Sequence, residues 1–235
     1  MLTYTPGSSP ILKFIQSRAF LVIALAVALF ARALGAPPKQ AVKFQAGDRV
    51  CFIGDSITHS GGYHSQVVLF YVTRFPQMRV EFFNCGLSGD SAGGGVNRYT
   101  WDIAHHKPTV ATLMFGMNDV GRSLYAKDKN GPEVEAQRQS AIDNHCAKMK
   151  ELAGLLMKDG SKLIFLTPSP YDQTGRQKTE NLYGVDYALG ACAYEARKLA
   201  DSLNSGTVGF HLPLNRLNSE GQAKDSGKPE RGGRG

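Results

Sequence analysis

Arg49-Val-Cys-Phe-Ile-Gly-Asp-Ser-Ile-Thr58 is a short apolar run that breaks at a glycine and continues as a small polar turn. It reads as a β-strand, 49–53, delivering a serine to the turn before a helix. Four further β-rich runs follow, at 80–84, 109–115, 162–166 and 207–211. The third and fourth strands are nearly continuous in apolar residues, as strands covered on both faces are. Helical patterns fill the intervals, around 63–74, 96–105, 133–158 and 180–203. In the longest, Ile142, Cys146, Met149 and Leu152 recur every three to four residues, Leu155 and Leu156 follow, and Gly160 stops the helix. Strands alternating with helices predict an α/β fold, a three-layer α/β/α sandwich around a five-stranded parallel sheet.

The 235 residues bound the chain to one domain, at most two, with enough length for a continuous core. Apolar residues make up 42% and charged residues 20%, values of a packed globular protein. Lys13 and Arg18 precede the apolar run 19–30, and small residues Ala31, Ala33 and Ala36 follow it. This is the pattern of a signal peptide over 1–36, or of an uncleaved N-terminal anchor, the only membrane contact expected. Either version puts the folded part outside the cytoplasm, secreted or periplasmic. Residues 37–46 read as a linker, 47–217 as the domain, and 218–235, rich in Gly, Arg and Lys, as a disordered tail.

The net charge of +7 falls to +4 without residues 1–36, which carry Lys13, Arg18 and Arg32 and no acid. Basic residues are not interleaved with aromatics, so no nucleic-acid partner is expected. Cys51, Cys85, Cys146 and Cys192 have neither the density of a disulfide scaffold nor zinc-site spacing. Export permits a disulfide, for which Cys146 with Cys192 is the pair to test. His105 and His106 are neighbours whose side chains diverge on a helix. No metal site is expected.

Ligands of an open parallel sheet bind beyond the carboxyl ends of its strands. Here those positions carry Gly54-Asp-Ser-Ile-Thr58, Gly86-Leu-Ser-Gly-Asp-Ser91 and Gly116-Met-Asn-Asp119. Ser56 is placed to be a nucleophile, and equally to cap the helix that follows. Gly89 lets a backbone N–H approach a substrate oxygen, and Asn118 offers a side-chain amide to the same oxygen. Each signal is weak alone. Their order on three successive strands is what raises them.

Those three segments resemble the first three sequence blocks of the GDSL/SGNH hydrolases. The resemblance implies a flavodoxin-like fold and hydrolysis of ester bonds, commonly small acyl or sugar O-acetyl esters, without metal or organic cofactor. It makes Ser56 the nucleophile and puts Ser56 N–H, Gly89 N–H and the Asn118 amide in the oxyanion hole. Asp55 and Asp119 become supporting residues of the two loops.

The family's fourth block, an Asp followed three residues later by a His, is missing, and no histidine follows His211. The closing loop and helix are expected to be missing with it. Without that base the serine is not activated. His59, His64 and His211 are the candidates to replace it. Three readings therefore compete: an exported esterase truncated or frameshifted near residue 218 and of impaired activity, a catalytically inactive binding protein that keeps the pocket, and a flavodoxin-like nucleotide binder. The last has no phosphate-binding glycine motif in its favour. Substrate contacts are sought in 121–132 and 168–178, where Tyr125 and Tyr171 lie.

Overall fold

The computed structural model describes residues 43–175 and 180–225. The segment read as a leader, 1–36, that read as a linker, up to residue 42, and residues 226–235 lie outside the described residues. Five parallel strands form one sheet: β1 Arg49–Gly54, β2 Glu81–Gly86, β3 Val110–Met114, β4 Lys162–Leu166 and β5 Gly206–Val208, in the order β2-β1-β3-β4-β5. Phe52 of β1 is aligned with Asn84 on one side and Thr112 on the other, so Gly54, Gly86 and Met114 end level at one edge. Parallel pairing requires a crossover between neighbours, and helices provide it. They are α1 Ser56–His59, α2 His64–Arg74, α3 Ala92–Asn97, α4 Pro132–Lys158, α5 Val185–Ser202 and α6 His211–Asp225.

The two-residue period of a strand sorts the core. Cys51, Ile53, Leu113 and Phe165 face Met149, Leu152 and Leu156 of α4. Val50, Phe52, Val110 and Ile164 face Val67, Val68 and Tyr71 of α2. A third cluster, Val120, Tyr125, Val185, Leu189 and Cys192, packs the start of α5 against the segment after β3. The central strands β1, β3 and β4 are buried on both faces, as their apolar runs require, while β2 and β5 at the edges are partly exposed.

Several boundaries depart from expectation. The helix placed at 96–105 is three pieces: α3, a π-helical turn Tyr99–Ile103 and a 3-10 turn Ala104–His106. The helix placed at 180–203 begins at Val185, after Gly184. The last strand ends at Val208, and His211 opens a helix instead of closing a strand. That helix, α6, corrects the expectation of a missing closing helix, and by reaching Asp225 it corrects the start of the disordered tail placed at 218. Its sequence has little apolar periodicity, so the reason is polar anchoring. The Asn215 amide donates to Asp186 Oδ2 at 2.9 Å, and the Gln222 amide donates to both oxygens of Asp172 at 3.0 Å. All four cysteines are free thiols, Cys146 and Cys192 included. No described helix is long and apolar enough to cross a membrane.

Candidate active site

Three loops leave the carboxyl edge of the sheet side by side, from β1, β2 and β3. In the first, Asp55 is the N-cap of α1, and its buried carboxylate accepts from Ile57 N–H at 2.9 Å. It thereby satisfies a helix-start donor that would otherwise be orphaned. Burial pushes the Asp55 carboxyl above its ordinary range, the Ile57 N–H opposes this, and the charges of Asp119 and Asp90 add to the rise. Because Asp55 is the cap, Ser56 is not: it occupies the first position of α1 and is exposed. Two glycines make this turn possible. A Cβ on Gly54 would meet Thr58 and the Met114 carbonyl, and one on Gly86 would run into the backbone of His59.

The second loop turns at Gly89, where φ is +80° with open space beyond. That conformation is left-handed, so glycine is required by the backbone. The third loop turns at Gly116, φ +142°, wedged against Pro168 and Leu189. Asn118 Nδ2 donates to the Asp90 carbonyl at 2.7 Å, which spends one amide hydrogen on tying the third loop to the second. Among the described residues, no acceptor is paired with the N–H of Ser56 or Gly89, and no hydrogen bond reaches Ser56 Oγ. These N–H groups and the remaining Asn118 amide hydrogen are free to meet an oxyanion.

Two basic side chains that sequence reading passed over hold this edge together. Arg98, only 3% exposed, donates from Nε to Asp90 Oδ2 at 2.7 Å, from one NH2 nitrogen to the Cys85 carbonyl at 2.8 Å, and from the other to Asp102. It therefore braces the end of β2 and the loop carrying Gly89 from beneath. His145, 2% exposed, stands with Nδ1 3.2 Å from Asp119 Oδ1, an oblique ion pair. The same Oδ1 accepts from Ala92 N–H at 2.9 Å, so Asp119 clamps the start of α3 to the third loop. Burial alone would lower the His145 pKa, but Asp119 and the Cys192 thiol outweigh it and raise it to about 10. Asp90 thus faces a buried guanidinium, and Asp119 a buried imidazole. Arg98 lies just after the glycine-rich start of α3, and His145 on the apolar stripe of α4, beside Cys146. A charged residue on a buried stripe is the signal that would have found His145.

The histidines offered as substitute bases have other partners. His59 Nδ1 pairs with Ser88 Oγ at 2.9 Å, linking the first loop to the second. His64 is buried, stacks on Phe52 and donates from Nε2 to the Thr58 carbonyl at 3.0 Å. His211 Nε2 faces Asp186 Oδ1 at 3.2 Å. The rings of His105 and His106 do not diverge: they lie 3.8 Å apart, because the segment leaves α-helical geometry. Among the described residues, no group of three or more metal-ligating side chains gathers. Tyr125 is buried beneath the Arg138 guanidinium, 4.4 Å from its ring centre, so it belongs to the core and not to a substrate surface.

This arrangement of strand ends has counterparts. Residues 52–216 match the model of the GDSL-like lipase/acylhydrolase family, and the chain belongs to that family. An acetylxylan esterase of Geobacillus stearothermophilus is 30% identical over 121 residues, covering 43% of this chain and 55% of that protein. A gut microbial diltiazem-metabolizing enzyme superposes with TM-score 0.72 at 30% identity, over 79% of this chain and 42% of its own. This chain therefore spans about half the length of each. A catalytic mutant of an acetylxylan esterase from Geobacillus stearothermophilus superposes with TM-score 0.63 at 22% identity, over 76% of this chain and 83% of its own, which shows the shared fold. Solved catalytic mutants of that enzyme alter a serine, an aspartate and a histidine three residues after the aspartate.

Proposed function

We propose that this chain is a serine ester hydrolase acting on small acyl or sugar O-acetyl esters. Ser56 Oγ attacks the ester carbonyl. The oxyanion that forms is met by Ser56 N–H, Gly89 N–H and the free Asn118 amide hydrogen, and the acyl-enzyme is released by water. The observation that carries this reading is the set of free donors at one sheet edge beside an exposed, unbonded serine, all held by buried ion pairs. A carbohydrate ester is favoured by the name of the acetylxylan esterase relative.

The proton of Ser56 needs an acceptor. None of the described histidines is bonded to it, so these residues alone support the oxyanion hole without a base. Serine proteases stripped of triad members retain about 10³ to 10⁴ over water from that hole and from binding. That level is the expectation for the described residues. It also favours a second reading, a binding protein that retains the pocket and holds an ester or sugar without turnover.

The test is hydrolysis of p-nitrophenyl acetate beside Ser56→Ala. A variant rate well below the parent's, down to the residual that the oxyanion hole and binding alone sustain, supports the hydrolase. Equal rates in both, together with saturable binding of acetylated xylo-oligosaccharide by calorimetry, support the binding protein. We further propose export, on Lys13, Arg18 and the apolar run 19–30. Fractionation of producing cells should find the chain outside the cytoplasm, and a purely cytosolic chain would remove that reading.

A further inference from the structure

The second loop closes as a tight turn from Leu87 to Asp90, in which Asp90 N–H donates to the Leu87 carbonyl at 3.1 Å. Its two ends are well held. Leu87 N–H donates to the Gly54 carbonyl at 3.0 Å, the Asp90 carboxylate takes Arg98, and the Asp90 carbonyl takes the Asn118 amide. The two central residues, Ser88 and Gly89, are both exposed. Gly89 has φ +80° and open space where a Cβ would stand, so its own sterics restrain it least of the four. Its N–H is nevertheless one of the donors left free for an oxyanion. Among the described residues, the one hydrogen bond that ties this central pair to another element joins Ser88 Oγ to His59 Nδ1 at 2.9 Å.

The backbone of His59 is fixed well enough to serve as the post for that tie. His59 N–H donates to the Asp55 carbonyl at 2.9 Å, and the His59 carbonyl accepts from the Asn84 amide at 3.0 Å. A Cβ on Gly86 would stand 2.2 Å from His59 N, so the two main chains are in direct contact. Asn84 Oδ1 in turn accepts from Gly86 N–H at 3.0 Å, locking the end of β2 to the same point. His59 also stands three residues after Ser56 on α1, a spacing that puts both on one side of the helix. One side chain is thus set against both the serine and the residue before Gly89.

We infer that His59 is a positioning residue of the oxyanion hole, an assignment that rests on the proposed ester hydrolysis at Ser56. Through Nδ1 it holds Ser88, and so fixes how far Gly89 N–H stands from Ser56 N–H. A base or a substrate contact would use the other ring nitrogen, Nε2, which gives the test its variants. Asparagine keeps a polar atom near the Nδ1 position and glutamine near the Nε2 position. In the full chain with p-nitrophenyl acetate, His59→Ala should lower kcat about fivefold, the worth of one neutral hydrogen bond, and leave KM unchanged. His59→Asn should restore most of the rate and His59→Gln should not. Ser88→Ala should match His59→Ala, and the two together should be no slower than either, because both break one contact. Rescue by glutamine in place of asparagine, or losses that add, overturns the assignment.

A second readout needs no turnover. In the chain labelled with 15N-glycine, the Gly89 amide order parameter should be about 0.85 in the parent and in His59→Asn, and fall to about 0.6 or below in His59→Ala. A Gly89 amide equally rigid in His59→Ala overturns the assignment whether or not the ester is hydrolysed. Loosening of Gly89 in a chain without Ser56-dependent hydrolysis leaves the tie standing and removes only the hydrolase reading, so the two failures are separable.

Discussion

Arg98→Met is expected to destabilise the fold by about 3–5 kcal/mol, the range for removing one partner of a buried ion pair. Methionine fills much of the volume, so the loss is electrostatic and not a cavity. Two carboxylates, Asp90 and Asp102, lose their counter-charge, and the Cys85 carbonyl loses a donor at 2.8 Å. Asp90 is itself nearly buried and cannot turn to water without moving the loop that carries Gly89. Urea denaturation measures the effect, and a double variant separates it from misfolding: Arg98→Met with Asp90→Asn should recover part of the loss, because the uncompensated charge has gone. A single variant within 1 kcal/mol of the parent, about the value of a surface pair, would show that Arg98 is not the brace described.

His145→Leu is expected to cost a similar amount, about 3–5 kcal/mol, since it strands Asp119 in the interior. The pH dependence identifies the mechanism. The pKa of His145 is raised in the folded protein from its ordinary 6.5 to about 10. A group whose folded pKa is raised contributes stability that is fully present below its unfolded pKa and disappears as pH rises through the folded value. The parent should therefore lose melting temperature progressively between about pH 6.5 and 10, and His145→Gln, which keeps a donor and removes the titration, should lose less over the same window. Parallel melting curves against pH in the two proteins would show that the imidazole is neutral and the ion pair absent. The consequence reaches the site, because Asp119 holds Ala92 N–H and directly follows Asn118.

The parallel sheet was legible because strands buried on both faces need near-continuous apolar runs, and those runs, separated by helical spacing, allow few alternatives. The front of the site was legible for a related reason. Its requirements are local: Asp55 reaches a donor two residues on, Gly89 supplies its own left-handed turn, and Ser56 follows a strand end. The sequence by itself thus determined the α/β architecture, the strands, the family blocks and the identity of the exposed serine. The tertiary structure alone decided which partners the buried charges found. Asp119 meets His145 from α4, Arg98 meets the ends of two strands, and His211 meets Asp186 across helices. It also decided that 211–225 is helical and that Tyr125 is core. The physical reason is common to all of these: the free energy of a buried polar group depends on what the fold brings within about 3 Å of it, and neither periodicity nor local spacing encodes that neighbour.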